Sequence, residues 1–254
     1  MRGKVVAITG ASRGIGSELA RQLASCGARL VLAARTESEL EEVAAACRER
    51  GAAVITVRAD VAVERDCQAI VSGAVLGFGR LDVLVNNAGI TMVAWLQELE
   101  DASILEQVMR VNYLGAAYCT YYALPYLRES RGQVVAINSL AGLLGVPTRT
   151  GYAASKHAMT GFFDSLRIEL EGSGVTVTSI HPGFVATAIR ASAGADTVRE
   201  AMSVEACAAR IVRAIERRER RVVMTARGRM GLWLRLLAPG LVDRIARRAI
   251  ERGR

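Results

Sequence analysis

The sequence has 254 residues, of which 51% are hydrophobic and 23% charged, a balance typical of a folded globular protein and not of a disordered one. Five separated cysteines without a Cys-x-x-Cys pair argue against a disulfide framework or a zinc site and fit a reducing compartment, and two histidines are too few for a histidine-rich metal site. The net charge of +8 is uneven: residues 210–254 hold 14 arginines and four acidic residues, so they carry +10 and the rest of the chain −2.

Short apolar runs alternate with stretches of helical periodicity through the first 225 residues. The predicted strands are KVVAITG, ARLVLAAR, AVITVRAD, LDVLVNNAG, GQVVAINS, VTVTSIHPG and RRVVMTA, and the predicted helices cover residues 15–26, 37–50, 64–78, 101–128, 152–171 and 203–218. Runs that are apolar throughout indicate strands covered on both faces. This order predicts an α/β fold, with one Rossmann-type, doubly wound parallel sheet and helices on both faces.

Two apolar segments raise the question of a membrane or a leader sequence. The strand-like run from Val5 leaves no room for a charged leader, so we expect no signal peptide. The uncharged run VNYLGAAYCTYYALPYL, residues 111–127, is short for a membrane span and contains Asn112 and Pro125. We interpret it as a buried helix.

The first predicted strand ends in TGASRGIG, residues 9–16, at a strand-to-helix turn. Gly10, Gly14 and Gly16 fall where a backbone must pass close to a bound phosphate and where a helix N-terminus offers free N–H groups. The spacing is a variant of the dinucleotide-binding fingerprint, although glycines also occur in ordinary turns. Its position at the first turn of an α/β chain favours dinucleotide binding.

The end of the second predicted strand distinguishes NAD from NADP. An acid there holds the ribose 2′-hydroxyl of NAD, whereas a cation accommodates the 2′-phosphate of NADP. The run LVLAARTES has Arg35 and no acid before Glu37, and Arg13 could supply a second guanidinium. We therefore expect NADP(H), the alternative being that both arginines are ordinary surface residues.

Lysine occurs only at Lys4 and Lys156, although the chain has 33 basic residues. Lys156 follows Tyr152 by four residues, which places both on one face of a helix. A compact cation beside a phenol favours the phenolate and lowers the phenol pKa from its usual value near ~10. The spacing alone also fits a solvated surface lysine.

Together these motifs resemble the short-chain dehydrogenase/reductase family. TGASRGIG, NNAG at 86–89, Asn112 in VNYLG, Ser139, the Tyr152 to Lys156 segment YAASK, and Pro182-Gly183 with Thr187 follow one another in the family's order, and the resemblance covers residues 4 to about 225. It is nearest to the branch with hydroxysteroid dehydrogenases and lipid-ketone reductases. Residues 1–226 then form a dinucleotide-binding oxidoreductase domain, and residues 227–254 a basic amphipathic C-terminal extension.

The resemblance implies a role for each matching residue. Ser139 would hold the substrate oxygen, Tyr152 would exchange its proton, Asn112 would organise a water relay and Lys156 would tune Tyr152 and hydrogen-bond the nicotinamide ribose. The cofactor contacts it implies are Gly10, Ser12, Arg13, Gly14, Ile15, Gly16, Arg35, Asp60, Val61, Asn86, Ala88, Gly89, Tyr152, Lys156, Pro182, Gly183, Val185 and Thr187. His157 and His181 match no catalytic position.

The expected reaction is hydride transfer between NADP(H) and a hydrophobic ketone or secondary alcohol, steroid-like or lipid-like. The substrate loop, residues 184–203, and the apolar run LAGLLGVP at 140–147 would line the pocket. The alternative is a non-catalytic dinucleotide sensor or scaffold on the same fold. By family analogy, helices 101–128 and 152–171 would form a homodimer or homotetramer.

The C-terminal extension mixes arginines with apolar residues and resembles two short amphipathic helices. Residues 228–254 could contact an anionic membrane, cover the substrate pocket or form a subunit interface. Aromatic stacking residues are absent apart from Trp233, so we expect no nucleic-acid partner. We expect a cytoplasmic protein, with the inner membrane surface as an alternative location.

Overall fold

Seven parallel strands in the described part of the chain form one sheet, in the order β3-β2-β1-β4-β5-β6-β7. The structure is a computed structural model that describes residues 1–186 and 201–251, with the backbone alone for 249–251. The strands are β1 (Val5–Thr9), β2 (Arg29–Ala34), β3 (Val54–Arg58), β4 (Val83–Asn86), β5 (Gln133–Ile137), β6 (Thr176–His181) and β7 (Arg221–Val223). The predicted α/β fold with a doubly wound parallel sheet is confirmed.

Helices connect the strands and cover both faces of the sheet. They are α1 (Gly14–Ser25), α2 (Glu37–Arg48), α3 (Glu64–Phe78), α4 (Ser103–Val108), α5 (Gly115–Ser130), α6 (Thr150–Glu169), α7 (Val204–Glu216), α8 (Ala226–Leu237) and α9 (Pro239–Glu251). Short 3-10 turns cover Leu96–Glu98 and Leu140–Gly142. No helix among the described residues has both the length and the apolar character that a membrane crossing requires.

The sheet separates two hydrophobic cores. Val6 and Ile8 of β1 pack into one, while Val5 and Ala7 pack into the other. Helices α1, α2 and α7 complete the first core and helices α3, α5 and α6 the second. Strands β1 and β4, in the middle of the sheet, are buried at every position, so their sequences are apolar on both faces and show no alternation.

The helix predicted over 101–128 is interrupted. A π-helical segment, Met109–Leu114, separates α4 from α5. Its wide turn contains Asn112, whose side chain is fully buried and bonded to the backbone of Ile90. Short π-helical insertions often occur at functional sites, and hydrophobic periodicity does not detect them because the apolar stripe continues through them.

Candidate active site

The predicted site residues meet at one edge of the sheet. Gly10 follows β1, Arg35 follows β2, Asp60 lies beyond β3, Ser139 lies beyond β5 and Pro182 follows β6. The carboxyl ends of parallel strands share one edge, and the strand order reverses between β1 and β4. This reversal opens the crevice in which α/β folds bind their ligands.

The glycine turn after β1 leaves no space for side chains. A Cβ added to Gly10, where φ is +64°, would lie 2.8 Å from the Cα of Ala88. One added to Gly16 would lie 2.2 Å from the carbonyl oxygen of Gly10 and 2.5 Å from Asn87 Nδ2. Both positions therefore require glycine.

Asn87 ties the turn after β1 to the turn after β4. Its Nδ2 donates to the carbonyl oxygens of Thr9 at 2.9 Å and Gly10 at 3.0 Å. In return, Thr9 Oγ1 accepts from the N–H groups of Asn87 and Ala88, each at 3.0 Å. The motif NNAG predicted that this turn lies near the cofactor. The hydrogen bonds by which Asn87 joins the two turns are seen only in the structure.

Asn86, the neighbour of Asn87, points into the core. Its Nδ2 donates to Thr120 Oγ1 at 2.9 Å. Its Oδ1 is buried and has no partner in the part of the chain that the structure describes. Asn86 thus supports the floor of the crevice from below.

The N-terminus of α1 fits a dinucleotide phosphate. Arg13 stands at the N-cap position, its side chain makes no capping hydrogen bond to the helix, and the first turn contains no acidic residue. The first N–H groups of the helix therefore point toward the crevice without a capping side chain, where they and the helix dipole attract an anion. Ile15 is partly buried against the neighbouring core, which anchors this first turn.

The two arginines expected near the adenosine ribose behave differently. Arg35 is exposed just past the end of β2. Arg13 instead forms a forked ion pair with Glu39, through Nε to Oε2 at 2.5 Å and Nη2 to Oε1. This pair lowers the pKa of Glu39. The convergence of both guanidinium groups on one site is thus not seen, because Glu39 of α2 is the nearer partner of Arg13.

Asp60 and Val61 shape the turn between β3 and α3. Asp60 Oδ1 accepts from the N–H of Ala62 at 3.0 Å, and the N–H of Asp60 donates to Asp66 at 2.9 Å. The carbonyl oxygen of Val61 would lie 2.7 Å from a Cβ at Gly115, so α5 passes close to this turn. The turn is therefore fixed beside the crevice.

Ser139 follows β5 and is oriented by three hydrogen bonds. Its Oγ accepts from the N–H of Ala141 at 3.1 Å, and its own N–H donates to Asn138 Oδ1 at 3.0 Å. Its carbonyl oxygen accepts from His181 Nδ1 at 3.0 Å. Burial lowers the pKa of His181 to about 4, so its ring is neutral at pH 7.

Tyr152 and Lys156 lie on α6, one helical turn apart. Burial raises the pKa of Tyr152, while the Ser139 hydroxyl and the charge of Arg149 lower it. Lys156 was expected to be the cation that lowers this pKa. Its Nζ instead donates to the carbonyl oxygen of Ile137 at 3.0 Å and lies 5.9 Å from the centroid of the Tyr152 ring.

The ammonium of Lys156 is itself destabilised by its surroundings. Its side chain is buried, and burial lowers its pKa to about 8. Met159 Sδ, 3.4 Å from Nζ, is a weak acceptor and gives little compensation. A charge in such a position costs stability, which is a feature of functional sites more than of structural ones.

Arg149 is a site residue that the sequence analysis missed. It precedes Tyr152 by three residues at the start of α6, and its Nη1 donates to Thr91 Oγ1 at 2.7 Å. This bond holds the guanidinium over the loop after β4, near the phenol. The signal in the sequence was a cation three residues before Tyr152, a spacing that, like the four residues between Tyr152 and Lys156, brings two side chains together on a helix.

Asn112 and Lys156 face each other across Gly89. A Cβ at Gly89 would lie 3.2 Å from Asn112 Oδ1 and 3.8 Å from Lys156 Nζ. The amide of Asn112 bonds both to the backbone of Ile90 and to Ser155 Oγ, at 2.8 to 3.0 Å. The structure thus brings together Asn112, Ser139, Tyr152 and Lys156 at the mouth of the crevice.

The substrate loop is anchored at both described ends. The carbonyl oxygen of Pro182 accepts a hydrogen bond from the N–H of Leu140 at 3.1 Å. Gly183 is packed so tightly that an added Cβ would lie 2.8 Å from Thr225 Cγ2. Val185 pairs with Met202 where the loop returns. Thr187, expected to contact the cofactor, lies outside the described residues.

The chain is similar to many known proteins. The family described as short chain dehydrogenase matches residues 4–198. An 11-beta-hydroxysteroid dehydrogenase A of Sesamum indicum is 41% identical over 96% of this chain and 75% of its own length. The 11-beta-hydroxysteroid dehydrogenase 1A of Arabidopsis thaliana is 48% identical over 72% of this chain, and the match spans 52% of that protein.

A solved structure agrees with the fold. A short chain dehydrogenase/reductase from Burkholderia phymatum, crystallised in complex with NAD, superposes with a TM-score of 0.87 at 30% identity, covering 94% of this chain and 95% of that one. The glycine turn, the open N-terminus of α1 and the strand reversal fit an NAD(P) cofactor. The chain therefore belongs to the short-chain dehydrogenase/reductase family, as an oxidoreductase that acts on CH–OH groups with NAD(P) as acceptor.

Proposed function

We propose that the protein is an NADP(H)-dependent oxidoreductase of a hydrophobic ketone or secondary alcohol, with Tyr152 as its general acid and base. The observation that carries the proposal is the placement of the Tyr152 phenol beside the Ser139 hydroxyl, where burial raises the phenol pKa and the hydroxyl offsets part of that rise. When bound, the nicotinamide supplies or accepts the hydride.

Ser139 is arranged to hold the substrate oxygen. The N–H of Ala141 occupies one lone pair of Ser139 Oγ and fixes the position of the hydroxyl. The hydroxyl proton is then available for donation toward a carbonyl oxygen beside Tyr152. During reduction the phenol gives its proton to that oxygen, and during oxidation it takes the proton back.

Lys156 and Asn112 form the route by which Tyr152 recovers its proton. Both side chains border Gly89 on the inner side of the phenol. With a pKa of about 8, the ammonium is protonated at neutral pH and can still release a proton within the working range. The buried amide of Asn112 and the hydroxyl of Ser155, bonded to each other, add polar groups beside Lys156.

The preference for NADP(H) over NAD(H) is supported by Arg35. It occupies the position past β2 where NAD enzymes commonly have an acid, and it is exposed toward solvent. Arg13 would join it only by leaving Glu39. Arg35→Asp is expected to lower kcat/KM with NADPH by at least about tenfold while leaving that with NADH unchanged or improved. An unchanged preference would refute the assignment.

A steroid-like or lipid-like substrate is supported by the pocket wall and by the relatives. Leu140, Leu143 and Leu144 follow Ser139 and supply apolar surface. The relatives from Sesamum and Arabidopsis are named 11-beta-hydroxysteroid dehydrogenases. Turnover on 11-oxo- and 11β-hydroxysteroids, compared with long-chain and aromatic ketones, tests this choice. Saturable turnover of small polar ketones alone would contradict it.

Self-association through α5 and α6 is the proposed quaternary arrangement. Tyr121 and Ile168 are exposed large side chains on these helices. Burying such a surface against a second copy is favourable. A dimer or tetramer by light scattering, reduced in size by Ile168→Glu, is the expected result; a monomer at all concentrations would exclude it.

A further inference from the structure

We propose that α8 and α9 form a docking surface for an anionic lipid bilayer. Six large apolar side chains on these helices are between 41% and 84% exposed: Met230, Trp233, Leu236, Leu237, Leu241 and Ile245. We call this set the tail surface. Water contact over so many apolar side chains on adjacent turns is unfavourable, so a partner that removes them from water is expected.

The α8 part of the tail surface faces away from the body of the protein. Gly228 and Gly231 form the inner face of α8: a Cβ at Gly228 would lie 2.6 Å from Leu140, and one at Gly231 would lie 3.3 Å from Leu144. Met230 and Trp233 each lie two residues further along the helix, on its opposite side. The inner face is thus already covered, and the outer face is the one that remains exposed.

Charge identifies the partner as an anionic lipid surface. The two helices contain Arg227, Arg229, Arg235, Arg244, Arg247 and Arg248, against Asp243 and Glu251. Arginines beside an apolar helical face match the headgroups and acyl boundary of an anionic bilayer. A second copy docked through the same surface would bring two cationic surfaces together, and a nucleic acid would leave the leucines without an apolar partner.

The docking surface is connected to the catalytic site. Thr225, just before α8, packs on Gly183, the residue before the substrate loop, and α8 rests on Leu140, the residue after Ser139. Arg235 also donates to the carbonyl oxygen of Leu143 in the same apolar wall. A bilayer held by the tail surface would therefore lie beside the pocket mouth, where an apolar molecule could enter from the lipid.

Vesicle binding by the full-length protein tests the proposal. Trp95 and Trp233 are the two tryptophans, so Trp95→Phe leaves Trp233 as the reporter. In this background we expect a blue shift of the emission and co-sedimentation with phosphatidylcholine vesicles that contain phosphatidylglycerol. We expect at least about tenfold weaker binding to pure phosphatidylcholine vesicles or in high salt.

A variant of the tail surface separates lipid docking from other causes. Met230→Ser, Leu236→Ser and Leu237→Ser together should abolish the blue shift, whereas Leu76→Ser, an equally exposed leucine on α3, should leave it unchanged. Co-sedimentation unaffected by the triple change would overturn the proposal. If the parent protein did not bind vesicles and the triple variant formed a smaller oligomer than the parent, the proposal would be overturned. The tail surface would then be an interface with a second copy of the chain. Neither readout requires catalytic turnover, so both stand apart from the proposed activity.

Discussion

The Nζ atom of Lys156 lies 5.9 Å from the centroid of the Tyr152 ring and donates to the carbonyl oxygen of Ile137. The ammonium therefore faces the ring of Tyr152, while burial raises the phenol pKa and Ser139 and Arg149 offset part of that rise. One consequence concerns stability, because the buried ammonium of Lys156 has a folded pKa of about 8 against 10.5 ordinarily.

The pH dependence of stability should reveal this buried ammonium. Between pH 8 and 10.5 the unfolded chain binds more protons at Lys156 than the folded one, so this group makes stability rise with pH. Relative to Lys156→Met, the free energy of unfolding of the wild type should gain about 2 kcal/mol between pH 7.5 and 10. Denaturant unfolding at a series of pH values measures this gain. If the free energy of unfolding depended on pH in the same way in the wild type and in Lys156→Met, the burial of the charge would be contradicted.

His181 should make the wild type sensitive to acid. Its folded pKa of about 4 lies below the ordinary 6.5, so the unfolded chain binds more protons between these values and stability falls as pH falls. Between pH 7.5 and pH 5 the titration of His181 should lower the free energy of unfolding by about 2 kcal/mol. His181→Asn can keep the bond to Ser139 and should remove that loss. His157→Asn, at an exposed position, is the matched control.

Arg149 should set the pH range of catalysis. Its positive charge lowers the pKa of Tyr152, so Arg149→Met should raise that pKa. Alcohol oxidation needs the phenolate, so the acidic limb of its kcat/KM profile should move to higher pH. Arg65→Met, exposed on α3, should leave the profile in place. A profile that does not move would remove Arg149 from the site.

Gly16 should be indispensable for cofactor binding. A methyl group there would collide with the carbonyl oxygen of Gly10 at 2.2 Å and displace Asn87. Gly16→Ala should weaken NADPH binding at least about tenfold in calorimetry, because the turn can no longer present its N–H groups. Gly240→Ala, which meets nothing within 4 Å, should bind NADPH like the wild type. Equal affinities in the two variants would contradict the assigned turn.

The sequence predicted the sheet, its helices and the glycine turn after the first strand, because apolar runs and glycine turns leave local signals. The π-helical segment around Asn112 was not predictable, since six residues are too few to alter the hydrophobic periodicity of a long helical stretch. The partner of Arg13 was also missed: Glu39 is 26 residues away along the chain, and only the packing of α2 beside the glycine turn brings them together. Arg149 was overlooked because its bond to Thr91 spans 58 residues.

The central claim is that Tyr152 transfers the proton while the cofactor transfers the hydride. The most direct test compares the wild type with Tyr152→Phe, measuring NADPH binding by calorimetry and NADPH consumption with hydrophobic ketones, steroids among them. Removing only the hydroxyl should preserve NADPH affinity and lower turnover by at least about a hundredfold. Turnover in Tyr152→Phe close to that of the wild type would contradict the account.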